Sequence, residues 1–260
     1  MKKIKIRYGI THGGLFHADD VFSSALLKYI IPEIEISRVF KAPENYGSDT
    51  IVFDIGDGPF DHHQQEKEYR ENGIPYASFG LLWREFGILL FPEEQVEKFD
   101  RDFVCPIDKA DNTGCGDSLS RVISSFNPNW DMKDDTAFDK AVSFALEILK
   151  REFSRIEASL RAEKEVKEAL NKMEANVVVL TRFVPWQNVL VPTDALYVVY
   201  PSLRGGYNIQ CVPAPGGGSK KPLPGAWLEN KPEGVGFVHT GLFLASVDKL
   251  DRAIELASSL

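Results

Sequence analysis

Apolar and polar side chains alternate through Ile4-Lys5-Ile6-Arg7-Tyr8-Gly9-Ile10, the period of a strand with one covered face. From Val21 to Ile30 the period lengthens, and Phe22, Ala25, Leu26, Tyr29 and Ile30 share one side of a predicted helix. Further strands are predicted over Ile34 to Phe40 and Thr50 to Ile55, and a helix over Tyr76 to Phe86, where Phe79, Leu82, Trp83 and Phe86 recur at helical spacing. Strand, loop, helix, strand is the opening of an α/β unit, so the chain is expected to begin with a largely parallel sheet flanked by helices.

Between Asp131 and Ala175 there is neither glycine nor proline, while Phe138, Val142, Ala145, Leu149, Phe153, Ile156 and Leu160 keep a helical beat. One long helix from Asp135 to Met173 follows, about 55 Å long at the rise of an α-helix. Its second half, Arg161 to Lys172, is mostly charged and reads as a solvated connector between two bodies. Beyond it Asn176 to Thr181, Ala195 to Tyr200 and Gly206 to Val212 read as strands, and Val247 to Ser259 as a closing helix. The predicted organisation is an α/β domain over 1–130, a connector helix over 131–175 and a smaller α+β domain over 176–260. Pro213 to Lys221, with three consecutive glycines, reads as a mobile loop.

Composition narrows the setting. A chain of 260 residues with 43% hydrophobic content can build its own core. Cys105, Cys115 and Cys211 are odd in number and form no CxxC, so they read as buried thiols in a reducing compartment. The basic start is interrupted by Arg7 and His12, unlike a signal peptide, and no run approaches the roughly 18 apolar residues of a membrane span. A cytoplasmic protein without membrane contact is expected. The net charge of −8 argues against a coat on long nucleic acid, yet a short anionic substrate fits if metal ions reverse the local charge. Apolar helices at the sheet edge could support a homodimer.

Four of the five histidines fall in two short segments that also hold aspartates. His12, His17 and Asp19 lie in the loop between the first strand and helix, at a carboxyl end where open parallel sheets bind ligands. Asp54 sits at the end of an apolar strand, where an unpaired carboxylate would be costly. Asp61-His62-His63 follows a Gly-Asp-Gly-Pro turn, and the acidic segment with Asp108 and Asp111 could complete a site. Imidazole and carboxylate together suit manganese, iron or zinc. Taken singly, Asp54 could equally cap a helix or close a turn, and Asp108 and Asp111 could equally cap a helix or form an ion pair.

These segments resemble the DHH phosphoesterase superfamily, named for a triplet present here as Asp61-His62-His63. THGGLFHADDVFSSALL is similar to its first motif, IVFDIGD to its second and DKADN to its fourth. Within the superfamily the chain resembles the MYG-type (melanocyte proliferating gene) metal-dependent hydrolases, whose C-terminal signatures are similar to Lys221 to Trp227 and Gly236 to Gly241. The resemblance covers nearly the whole chain. It implies a DHH-like N-terminal catalytic domain, with His12, His17, Asp19, Asp54, His62 and Asp108 or Asp111 as metal ligands and His63 as a ligand or a phosphate contact. Where other members of the superfamily place His-x-x-x-Asp-x-Asp, this chain offers His12, His17 and Asp19; the extra imidazole tips preference from Mg2+ toward Mn2+, Zn2+ or Fe2+.

The expected chemistry is a two-metal hydrolysis, most simply with Mn2+, in which Asp54 bridges the ions and His63 stabilises phosphoryl charge. Arg204, Lys220, Lys221 and His239 are candidates for gripping substrate in the C-terminal domain, and Trp186 and Trp227 for stacking a base or, alternatively, for core packing. The resemblance implies a phosphodiester or phosphomonoester substrate, and the family's animal members imply a 3'-to-5' exonuclease; nucleotides or short oligonucleotides suit the charge best. The alternatives are a pyrophosphatase-like hydrolase of a small phosphate compound and a non-catalytic metal- or nucleotide-binding regulator.

Overall fold

A computed structural model describes residues 5–260; Ile4, the first residue of the predicted opening strand, lies outside the described residues. The chain is a mixed α/β protein, and its internal packing divides it into two units at Ser154/Arg155.

In the first unit β1 (Tyr8–His12), α1 (Ala18–Ile30), β2 (Glu35–Val39) and β3 (Thr50–Val52) follow in order. The strands form a parallel sheet with β1 in the middle, Tyr8 opposite Glu35 on one side and Thr50 on the other. All three therefore deliver their carboxyl ends to one rim. Helix α1 buries Val21, Phe22, Ala25 and Leu26, and Phe22 meets Phe79 of α2 (Ser78–Phe86) at 5.5 Å between ring centroids. Then come α3 (Glu93–Phe99), a π-helical stretch at Asp100–Val104, α4 (Cys105–Thr113) and α5 (Ser118–Ser124). Trp83, Phe91 and Phe99 surround Phe153 of the long helix α6 (Ala137–Leu170) with centroid distances of 5.6, 5.2 and 5.4 Å. Phe153 is fully buried, so truncating it to alanine would cost about 3–5 kcal/mol.

Several boundaries differ from expectation for local reasons. Helix α1 begins three residues before Val21 because Asp20 Oδ1 accepts the His17 N–H at 2.9 Å, tying off an amide that the first turn leaves unpaired. Strand β3 stops at Val52, short of Ile55, because Asp54 takes a left-handed φ of 55° and turns the backbone out of the ladder. The helical run from Glu93 to Thr113 hides behind two prolines. Pro106 sits in the first turn of α4, where its missing N–H costs nothing.

The second unit contains β4 (Val177–Val179), α7 (Gln187–Leu190), β5 (Tyr197–Pro201), β6 (Tyr207–Cys211), β7 (Val235–Val238), β8 (Leu244–Val247) and α8 (Leu250–Ser258). Its sheet runs β4-β5-β6-β8-β7, with β4 parallel to β5 and the remaining pairs antiparallel. One core joins Tyr197, Val199, Ile209 and Val247 to Ala253 and Leu256 of α8. Another joins Val178, Leu180 and Val198 to Ala162 and Val166 of α6. The charged half of α6 is thus not wholly solvated: Ala162 and Val166, four apart, bury one stripe beneath the lysines and glutamates. The closing helix starts at Leu250 instead of Val247 because Val247 completes β8 opposite Tyr207. The hairpin β7–β8 was hidden by exposed Phe237 and by Gly236, which break its alternation.

The glycine-rich segment is a closed turn, not a free loop: Pro213 bridges Ser219, and the Lys220 N–H donates to Val212 O at 2.9 Å. Cys105 and Cys211 are buried, but Cys115 is exposed between Gly114 and Gly116. Among the described residues no helix is long and apolar enough to cross a membrane.

Candidate metal centre

His12 is the last residue of β1, and Asp54 lies two residues beyond β3, so the parallel sheet brings them to one rim. His12 Nε2 lies 3.2 Å from Asp54 Oδ2 and 3.2 Å from Asp20 Oδ2. A single ring nitrogen thus faces two carboxylates. His62 Nε2 faces three, at 3.1 Å from Asp54 Oδ1, 3.2 Å from Asp111 Oδ2 and 3.5 Å from Asp19 Oδ2. His17 Nδ1 is 3.7 Å from Asp111 Oδ1, and His63 Nδ1 is 3.7 Å from Asp54 Oδ1. Three groups have convergent ligand atoms: His12, Asp20 and Asp54; Asp54, His62 and His63, which shares Asp54 with the first; and His17, Asp19 and Asp111.

The loop that carries the first ligands is clamped from outside. Asn127 accepts the Phe16 N–H at 3.1 Å and donates to Phe16 O at 2.8 Å, while Arg38 donates to His12 O at 3.1 Å and to Gly14 O at 2.9 Å. The two acidic residues that follow open helix α1, where the dipole favours negative charge. Asp54 adopts its left-handed backbone at modest cost, since short polar side chains tolerate that region. Asp61 stands behind the triplet: its Oδ1 binds His63 Nδ1 at 2.8 Å and its Oδ2 accepts the Asp57 N–H at 2.8 Å. Asn112 Oδ1 lies 3.4 Å from His62 Nδ1, and its amide donates to Tyr76 O and Asp108 O.

Asp19, Asp20 and Asp54 are buried, and among the described residues no lysine or arginine forms an ion pair with them or with Asp111. Asp19 Oδ1 and Oδ2, Asp20 Oδ2 and Asp54 Oδ1 are all buried, and the last two face the imidazole nitrogens of His12 and His62. Burial raises the Asp19 carboxyl well above the usual range, and the nearby charges of Asp54, Asp111 and Asp20 add to the rise. Burial raises Asp20 as well, against the pull of His12. For Asp54 burial pushes upward, but hydrogen bonding to His12 and His62 outweighs it and the carboxyl ends lowered. Asp20, followed by Asp54, raises His12 to about 10. Such a set of buried carboxylate oxygens and imidazole nitrogens could hold divalent cations, because burying several acids with histidine as their only counter-charge is expensive.

Of the residues expected to act, His12, His17, Asp19, Asp54, His62, His63 and Asp111 gather here. Asp108 does not: its Oδ2 pairs with Arg70 at 2.7 Å and its Oδ1 accepts the Gly80 N–H at 3.1 Å. Asp20, Asn112 and Asp61 complete the arrangement from positions that the sequence reading passed over or used only as part of a motif. The signal for Asp20 was its spacing three residues after a helix-capping position.

Arg204, Lys221 and His239 lie in the second unit. Arg204 is exposed in the β5–β6 turn and lines a cavity of about 590 Å³ with Phe183, Tyr200, Asn208 and Phe237. Lys221 Nζ donates to Leu260 O, and His239 Nδ1 accepts the Gly241 N–H at 2.9 Å while its ring packs 4.2 Å from Phe243. Lys220 is occupied by the carbonyls of Leu190, Thr193 and Ala195. Trp186 and Trp227 are core residues, at 0% and 8% exposure, so neither offers a face to a base.

A family model described as an uncharacterised protein family, UPF0160, matches residues 9–260. The chain is similar to the MYG1 exonuclease of Homo sapiens, 26% identical over 317 aligned residues that cover 95% of this chain and 84% of that protein. The MYG1 exonuclease of Rattus norvegicus is 26% identical, over 95% and 82% of the two chains. The MYG1 protein of Dictyostelium discoideum is 22% identical, over 78% and 77%.

Proposed function

The chain belongs to the UPF0160 family of MYG1 exonucleases, and from that premise we propose that it is a metal-dependent phosphoesterase of the nuclease class, built on the DHH plan, which shortens RNA or other short oligonucleotides from the 3' end. The observation that supports this reading is the convergence of His12, His17, Asp19, Asp54, His62 and Asp111 on one sheet rim with buried carboxylate oxygens. We place catalysis in residues 1–130 and substrate recognition in 176–260, with 131–175 as connector; Arg204, Lys221 and His239 are the recognition candidates there.

Asp54, common to two of the three ligand groups, would be shared between the ions of a two-ion site, and Mn2+ is the ion that such donors would suit best. Divalent ions held there would supply Lewis acidity toward a water and the phosphoryl oxygens. The chain's own groups do the rest. Asp61 holds His63 by Nδ1 and raises its pKa, leaving Nε2 to donate to a nonbridging phosphate oxygen where negative charge grows. Asn112 holds the far nitrogen of His62 and so keeps Nε2 toward the carboxylates.

The test is end-labelled short RNA and DNA incubated with the full chain and Mn2+, Zn2+ or Mg2+, beside dinucleotides and pyrophosphate. Stepwise loss of mononucleotides from the 3' end, dependent on added metal, is the expected result. Cleavage of pyrophosphate alone would replace the nuclease reading with a pyrophosphatase, and no turnover of any compound with any metal would reject catalysis.

A further inference from the structure

Beside the metal centre opens a cavity of about 650 Å³, lined both by ligand candidates His17, His62 and Asp111 and by two basic side chains, Lys67 and Arg121. Its size is that of a pocket for one small ligand. Lys67 Nζ donates at 2.7 Å to Asn112 Oδ1, the same oxygen that lies 3.4 Å from His62 Nδ1, so this ammonium is anchored to the support of a metal ligand. Arg121 is exposed on α5, and among the described residues its guanidinium has no acidic partner. The acid nearest to it in sequence, Asp117, is already engaged: its Oδ2 accepts from the Ser120 N–H at 2.8 Å and from Ser120 Oγ at 3.0 Å, capping α5. A cation left uncommitted on the wall of a cavity, in a chain with an excess of acids, points to an anion that arrives with the ligand.

We propose that Lys67 and Arg121 form a second phosphate site, which binds the phosphate neighbouring the scissile one and thereby selects substrates with at least two phosphates one nucleotide apart. The inference rests on the phosphoesterase reading for its physiological meaning. A simple ester or mononucleotide fills the metal centre only. A 5'-phosphorylated dinucleotide fills both. Guanidinium can hold two phosphate oxygens in parallel, which ammonium cannot, so Arg121 carries the larger share of the selectivity.

The decisive comparison uses a 5'-phosphorylated dinucleotide, the same dinucleotide without its terminal phosphate, and bis(p-nitrophenyl) phosphate. For Arg121→Ala the ratio of kcat/KM between the first substrate and the other two should fall at least about tenfold, chiefly through KM, with Arg121→Lys regaining part of it. Lys67→Ala should act in the same direction, with metal content of the purified protein measured to separate loss of phosphate from loss of metal. Binding of the phosphorylated dinucleotide to the Mn2+-loaded full chain, read by fluorescence anisotropy with a labelled analogue, gives a second readout that needs no turnover. Should wild-type protein hydrolyse nothing, the phosphoesterase reading fails, while a tenfold weaker binding in Arg121→Ala still supports the second phosphate site. An unchanged selectivity ratio with unchanged binding in both variants would overturn it.

Discussion

Two buried groups of acids lie within the first unit, and they are built on opposite principles. Around Arg70 every charge is answered: its guanidinium bonds Asp100 through two nitrogens at 2.7 Å each, reaches Asp108 at 2.7 Å and covers the Tyr76 ring at 4.0 Å. Around Asp54 the buried acids meet only histidines, and no lysine or arginine among the described residues pairs with them. The first group is a finished ion-pair network, in which burial opposes the Arg70 charge but the bonds to Asp100 and Asp108 more than restore it. The second, on the proposed reading, is the one that cations would complete. Only two residues of one helix separate the two, since Asp108 belongs to the first and Asp111 to the second.

The sharpest way to break this contrast is to remove one charge from each group by the same isosteric change. Asp54→Asn keeps a residue that tolerates the left-handed backbone, so the fold should survive while turnover drops on the order of a thousandfold. Asp108→Asn should do the reverse, keeping turnover and losing stability. Steady-state kinetics beside urea melts decide the matter, and a swapped result would merge the two groups into one site.

Next in size is the cost of opening the finished network. Arg70→Ala leaves Asp108 buried without its cation and should lower stability by about 3–5 kcal/mol in urea unfolding, with metal affinity retained in the folded fraction. Gly80→Ala tests the same contact by crowding. A Cβ there would stand 1.9 Å from Asp108 Oδ2 and 2.6 Å from an Arg70 nitrogen, with no room for either to stay. Wild-type stability in both variants would show that the network does not hold α2 against α4.

Which of these groups the sequence reveals depends on range. His12, His17, Asp19, Asp54 and the Asp61-His62-His63 triplet are legible because their segments follow strands whose alternation can be read, and parallel strands end on one side. The choice between Asp108 and Asp111 is not legible. They are neighbours on one helix face, and only Arg70 and Gly80, distant in the chain, decide which turns away from the metal centre. The same holds in the second unit: Tyr197 to Pro201 declares itself as a strand by its composition, whereas β7 and β8 depend on pairing across a turn. Lys220 looked free to grip a ligand, yet three carbonyls from another loop claim it.

A smaller effect belongs to the supports of the open group. Asn112→Ala removes the amide that faces His62 Nδ1 and should weaken Mn2+ binding about 10–100-fold without a comparable loss of stability. Equilibrium dialysis against Mn2+ reads this directly. Equal affinity in the variant would leave His62 held by its carboxylates alone.

The smallest effect is also the one that separates the groups most cleanly, because it needs no substitution. Without metal, His12 is raised to about 10 by Asp20 and Asp54, so at neutral pH it holds a proton that an incoming cation must displace. The sign follows from the shift: His12 contributes stability to the metal-free fold below its ordinary value near 6.5, and that contribution is lost as pH rises toward 10. Metal affinity moves the opposite way, tightening by up to about tenfold per pH unit for each proton displaced. Arg70 keeps its proton throughout, but burial raises Asp108 of the same network to about 7, so that network loses stability as pH rises toward 7 and stays level only above it. Calorimetric Mn2+ titrations in buffers of different ionisation enthalpy should therefore report about one proton or more released per chain at pH 7. Affinity that is the same at pH 6.5 and 8.5, with no proton released, would mean that His12 is not where the cation binds.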